Sequence, residues 1–278
     1  MRTYEKIYSA SLGMEMEHLV YGWGGAPVLV FPTSKGRFYQ WEDFHMLGSI
    51  SEHLANGWLQ LFCVDSIDRL SWYNFEDHQR DQIDWHLAYE EYLVHEFFPH
   101  LRNRNSNPFL IVAGASFGGF HAVNFGIRYP ELASRVVAMS GEYEAYKYVD
   151  GYFDDDVLAN SPLDRLKTLS PDQLDPRVRD IEFILTAGQW DFCKDPTLSL
   201  AAEMGRLGIP HQCHVWNDPG IHDWPLWRRA AQSPPRGAWN CWVICAGRGF
   251  GKTRTGAEWV RESAILDPDA RIALVAAS

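Results

Sequence analysis

The residues best suited to chemistry are Ser116, Asp191 and His222, taken with the small residues that crowd around the serine in Gly114-Ala115-Ser116-Phe117-Gly118. A serine hydroxyl is a weak nucleophile at neutral pH. It needs a general base within hydrogen-bond reach and a donor pair for the oxyanion that forms when it attacks a carbonyl. The pattern G-x-S-x-G meets the first steric demand, because a strand that reverses directly into a helix tolerates almost no bulk and lifts the serine out of the sheet. Phe109 to Val112 precedes it as a short apolar run that predicts a strand covered on both faces, and the helix that follows ends by Pro130.

His222 lies in Gly220-Ile221-His222-Asp223-Trp224-Pro225, a loop rather than an apolar helix face, and is the candidate base. Its rival is His121, which falls inside the helix after Ser116 and would point along that helix. For the acid that orients the base, Asp191 competes with Asp195, Asp218 and Asp223; Asp191 is favoured because Thr186-Ala187-Gly188-Gln189-Trp190-Asp191 follows a predicted strand directly. The oxyanion donors are expected to be the backbone N–H groups of Phe117 and Ser34.

The elements that must place these residues follow from the apolar pattern. Residues 3 to 21 alternate loosely around Gly13 and predict an antiparallel hairpin. Buried strands are expected at Pro27 to Pro32, Leu59 to Val64, Arg135 to Ser140, Ile181 to Ala187 and His211 to Trp216. Helices are expected from Phe44 to Asn56, ended by Gly57, and from about Asp81 to Arg102, where Ile83, Leu87, Val94, Phe97 and Leu101 fall on one face. Strands alternating with helices give an α/β fold, a mostly parallel sheet with helices on both faces, whose chemistry collects at the carboxyl ends of the strands. Nucleophile, acid and base then arrive in the order Ser, Asp, His, as in α/β-hydrolases. Glu142 to Asp175 is too long for a simple connection and predicts a short cap. Its run Asp154-Asp155-Asp156 reads as a solvated loop or helix cap, since contiguous carboxylates diverge on most backbones.

Composition limits the alternatives. The chain has 278 residues, 46% of them hydrophobic, enough for a sizeable core, and no apolar run approaches a membrane span. The N-terminus carries neither an apolar leader nor a cleavage pattern, so a cytoplasmic protein is expected. A net charge of −11 argues against general binding of nucleic acid or anionic membrane. Five scattered cysteines suggest no disulfide framework, and Cys241-x-x-x-Cys245 has no second pair to complete a zinc site, so neither metal nor organic cofactor is expected. The implied partner is a small-molecule ester, and self-association stays open.

These residues carry a resemblance. VFPTSKGRFYQWED, GASFGGFHAVNFGIRYPELASRVVAMSG, DGYFDDDVLANSPLD and HDWPLW, spread over residues 1 to about 229, resemble the putative-esterase family of α/β-hydrolases, which also holds esterase D, enterochelin esterases and mycolyltransferases. The resemblance implies Ser116 as nucleophile, Asp191 as acid and His222 as base of a serine esterase, or of an acyltransferase using the same triad. Lys35 stands where similar sequences would carry a small residue.

From about Ser233 the sequence changes character. Ser233-Pro234-Pro235-Arg236-Gly237 is a linker signal, dividing residues 1–232 from 233–278. Trp239 to Cys245 then predicts a strand, followed by Ala246-Gly247-Arg248-Gly249-Phe250-Gly251-Lys252-Thr253 and a helix, the context of a phosphate-binding loop in which Gly251, Lys252 and Thr253 would meet phosphates and Mg²⁺. WVICAGRGFGKTRTGAEWVRE is similar to the start of a phage large terminase subunit. An ATPase of that kind also needs a carboxylate on a later strand, so a fused fragment fits better than a second activity, with a nucleotide-binding module as the alternative.

Overall fold

The computed structural model describes residues 1–232. The sequence expectations for residues 233–278, including Gly251, Lys252 and Thr253, lie outside them.

Eight strands form one sheet: β1 (Arg2–Ser9), β2 (Met14–Tyr21), β3 (Ala26–Phe31), β4 (Leu59–Val64), β5 (Ile111–Ala115), β6 (Arg135–Met139), β7 (Glu182–Gly188) and β8 (His211–Trp216). Their order across the sheet is β1-β2-β4-β3-β5-β6-β7-β8. Only the hairpin β1–β2 and its pairing with β4 are antiparallel; the remaining neighbours are parallel. This is the α/β-hydrolase fold anticipated from the alternation of strands and helices.

Side chains of the central strands alternate between two cores, as the two-residue period of a strand requires. Leu29, Phe31, Phe62, Val64 and Val112 face one, and Val28, Val30, Leu61, Cys63 and Ala113 the other. The second face is covered by three short helices, α1 (Gln40–Asp43), α2 (Met46–Ser49) and α3 (Ser51–Ala55), and by α10 (Trp224–Gln232), through Trp41, Met46, Trp224 and Trp227. The single helix expected over Phe44 to Asn56 is thus corrected to short pieces. It breaks at His45, whose φ of 61° is left-handed, and again at Ile50, whose φ of −118° and ψ of 19° are not helical.

On the first face lie α4 (Gln79–Glu91), a π-helical turn at Tyr92–Phe97 and α5 (Phe98–Arg104), one helical run longer than the expected Asp81 to Arg102. With them pack α6 (Phe117–Arg128), α8 (Pro162–Thr168) and α9 (Lys194–Leu207). The cap between β6 and β7 holds α7 (Asp155–Ala159) and α8. Asp154 caps α7, accepting the Val157 N–H at 2.8 Å, and Arg80 reaches Asp154 and Asp156 at 2.9 and 2.7 Å. Among the described residues no helix is long and apolar enough to cross a membrane.

Candidate active site

The turn from β5 into α6 is steric before it is chemical. A Cβ on Gly114 would stand 2.1 Å from the Gly118 carbonyl oxygen, and one on Gly118 would stand 2.5 Å from that of Pro32. Only glycines let the β5 end, the α6 start and the β3 end approach so closely. Ser116 pivots between them with φ 55° and ψ −125°, a conformation a non-glycine residue adopts at a cost of about 1–3 kcal/mol. Its N–H is held by the Met139 carbonyl of the adjacent β6 at 2.8 Å.

Asp191 follows β7 and His222 lies between β8 and α10. Two backbone bonds zip their loops together, Gln189 N–H to the Trp216 carbonyl at 2.8 Å and Trp190 N–H to the Gly220 carbonyl at 2.7 Å. His222 consequently bridges the other two residues: Nδ1 is 2.8 Å from Asp191 Oδ1, and Nε2 is 3.0 Å from Ser116 Oγ. The Asp191 side chain is fully buried and that of His222 15% exposed, so the base reaches solvent and the acid does not. Burial pushes the Asp191 carboxyl up, but hydrogen bonding from His222 and Ser140 and from the Cys193 N–H outweighs it and holds the group below its ordinary range.

The rival residues lie elsewhere. His121 is buried with Nε2 3.0 Å from Asp68 Oδ1. Asp195 is exposed on α9, the Asp218 side chain is 96% exposed, and Asp223 accepts the Trp224 N–H that opens α10. Cys193 offers its sulfur within 4.8 Å of Asp191 and His222, but burial, reinforced by the Asp191 charge, pushes its thiol up and keeps it protonated.

Ser34 lies in the loop after β3, and Phe117 opens the first turn of α6. Neither backbone N–H has an acceptor among the described residues. The Ser34 hydroxyl is engaged with Tyr73 at 2.8 Å, and Lys35, left-handed at φ 54°, gives its N–H to Asp68 Oδ2 at 2.9 Å. Thr33 is tied to Gln40 by two bonds of 2.8 and 2.7 Å, and Arg37 grips Asp65 with both bonds at 2.8 Å. The loop is therefore fixed from both sides.

Sequence reasoning missed Asp68, Tyr73, Ser140 and Trp227. Ser140, fully buried at φ 56°, accepts the Trp227 indole N–H at 2.9 Å behind Asp191. No spacing marks these residues. The abundance of aromatic residues was the available signal for the surroundings: Phe192, 73% exposed, lies with its ring centroid 4.1 Å from that of His222, and Tyr73 packs edge-on to Phe117 at 5.1 Å.

A family model described as Putative esterase matches residues 24–231. The chain belongs to that family. It is accordingly a carboxylic ester hydrolase. Among solved structures it is similar to a ferulic acid esterase, at 18% identity, covering 84% of this chain and 95% of that one with a TM-score of 0.68. An S-formylglutathione hydrolase from Agrobacterium tumefaciens is similar at 12% identity, covering 94% and 95% with a TM-score of 0.64. The enterobactin esterase of Shigella flexneri is similar at 21% identity, covering 83% of this chain and 57% of its own with a TM-score of 0.56. At these identities the likeness is one of fold. No curated protein matches the sequence.

Proposed function

We propose that this esterase cleaves small carboxylic esters through an acyl intermediate on Ser116. The single observation that carries the reading is the continuous bond chain from Asp191 through His222 to Ser116. Ser116 Oγ attacks the ester carbonyl as its proton passes to His222 Nε2, and the imidazolium that results faces the Asp191 carboxylate. The tetrahedral oxyanion lies against the Phe117 and Ser34 N–H groups, both without an acceptor among the described residues. Collapse expels the alcohol, which takes the proton back from His222. Water, deprotonated by the same imidazole, then releases the acid and restores Ser116. The reading needs only these side chains and two backbone donors.

The hydrolase occupies residues 1–232 in this reading, and 233–278 is a separate fragment. The family match ends at 231, within the helix Trp224–Gln232 that follows His222. Turnover of a chromogenic short-chain ester by the full chain, lost in Ser116→Ala, tests the assignment. Retention of more than about a hundredth of the rate would sink it, since nucleophiles of such triads typically carry several orders of magnitude.

A further inference from the structure

A second cluster of chemical groups lies on other elements of the fold, at the hairpin edge of the sheet. The β1–β2 register sets Glu5 directly opposite His18, and α5 lays His100 and Arg104, four residues apart and so on one helix face, against them. His18 Nε2 is 3.3 Å and His100 Nε2 is 2.9 Å from the same oxygen, Glu5 Oε2. Arg104 takes the other carboxylate oxygen, Oε1, and thereby leaves Oε2 turned toward the two imidazoles.

His18 is the anomaly. It is completely buried, and neither ring nitrogen makes a hydrogen bond among the described residues; the Glu5 contact lies outside hydrogen-bond geometry. Its ring packs edge-on to Phe97 and His100, at centroid distances of 5.0 and 5.2 Å. Leaving such a buried group unsatisfied is destabilising, a cost the fold avoids if a ligand takes the nitrogen.

We propose that Glu5, His18 and His100 form a binding site for a divalent cation of the zinc class. Three donors, two imidazole and one carboxylate, suit a borderline ion, and their ligand atoms all lie within 4.8 Å of one another. Donors bonded to tetrahedral zinc at about 2.0–2.1 Å stand roughly 3.3 Å apart, close to the 3.3 and 2.9 Å that separate the two imidazole nitrogens from Glu5 Oε2. Arg104 opposes the cation by charge but orients the carboxylate, and the exposed sides of Glu5 and His100, 19% and 31%, leave a fourth position open to water. The bound ion would clip the edge hairpin to α5 across a long stretch of chain. Sequence spacing gave no hint of it, because the three ligands come from three elements.

The test is calorimetric titration of the full chain with Zn²⁺, repeated with Co²⁺ to read the visible absorption of a tetrahedral site. His100→Ala and Glu5→Gln serve as variants, both at partly exposed positions, with thermal melts to show that they fold. One ion per chain is expected. Each variant should weaken binding roughly tenfold or more, and zinc should raise the melting temperature of the parent but not of the variants. His222→Ala should bind as the parent does. Absence of binding, binding as tight in both variants as in the parent, or binding lost in His222→Ala and retained in His100→Ala would overturn the proposal.

Discussion

Asp68 Oδ2 accepts the backbone N–H of Lys35 at 2.9 Å, while its other oxygen meets His121 Nε2 at 3.0 Å. One carboxylate, 1% exposed, thus ties the loop that carries Ser34 to the helix that begins at Phe117. The two proposed oxyanion donors are held at a fixed separation by a residue that touches neither.

Asp68→Ala should therefore lower kcat by about tenfold to a hundredfold, less than the loss of an oxyanion donor itself, with a smaller change in KM. The effect would act on the transition state, because a loosened Ser34 N–H matters most when charge develops. Steady-state kinetics on one chromogenic ester read the split. An unchanged kcat in a variant that still melts cooperatively would remove Asp68 from the positioning role.

Ser116 predicts a separation of stability from activity. Its backbone at φ 55° suits glycine better than any side chain. Ser116→Gly should be at least as stable as Ser116→Ala, with a relief of strain of about 1–3 kcal/mol set against the unfolded-state entropy of glycine. Both should be inactive. Denaturant unfolding of the pair decides it, and an alanine variant clearly more stable than the glycine variant would contradict the strained turn.

The frame around that turn was legible in the sequence because it is local. β4 and β8 begin and end at the residues the apolar runs delimit, and the order Ser, Asp, His along the strand ends marked the three residues that meet through His222. β5 starts at Ile111 rather than Phe109, since the Asn107 side chain takes the Phe109 N–H before the ladder begins. What was illegible is long-range. Asp68 reaches Lys35 and His121, Ser140 meets Trp227, and Glu5 meets His18 and His100, with no periodicity to announce any of them.

Asp191 gives the chain a defined acid response. Its carboxyl is held below its ordinary value of 3.8 in the folded protein, so the folded state binds this proton less readily than the unfolded chain. The stabilisation is fully present above that ordinary value and is lost as pH falls through the lower folded one. The stability difference between the parent and Asp191→Asn should be constant near neutral pH and change below about pH 4. Near neutral pH the variant should lose roughly 10³–10⁴-fold in kcat, because the amide cannot hold the imidazole in the productive tautomer. A difference in stability that instead drifts between pH 5 and 8 would show that another group is responsible.

Gly118 is the most stringent steric test. An added Cβ would lie 2.5 Å from the Pro32 oxygen and 2.6 Å from the Phe31 oxygen, both backbone atoms at the end of β3. Gly118→Ala should cost about 1–3 kcal/mol by forcing these elements apart, and should reduce ester turnover along with stability because the same displacement separates Phe117 from Ser34. Thermal melts and kinetics on one preparation check both.

The last prediction concerns residues 233–278. The bond chain through Asp191, His222 and Ser116, the loop at Ser34, and the supports at Asp68, Ser140 and Trp227 all lie before Gln232. The family match also stops at 231. A chain ended at Gln232 should therefore keep its ester turnover within about twofold, since the groups invoked in the transition state are all retained. Lys252→Ala in the full chain should likewise leave ester turnover unchanged. Loss of turnover on truncation would mean that the tail shapes the site, and ATP hydrolysis that disappears with Lys252→Ala would establish a second activity in place of the fragment reading.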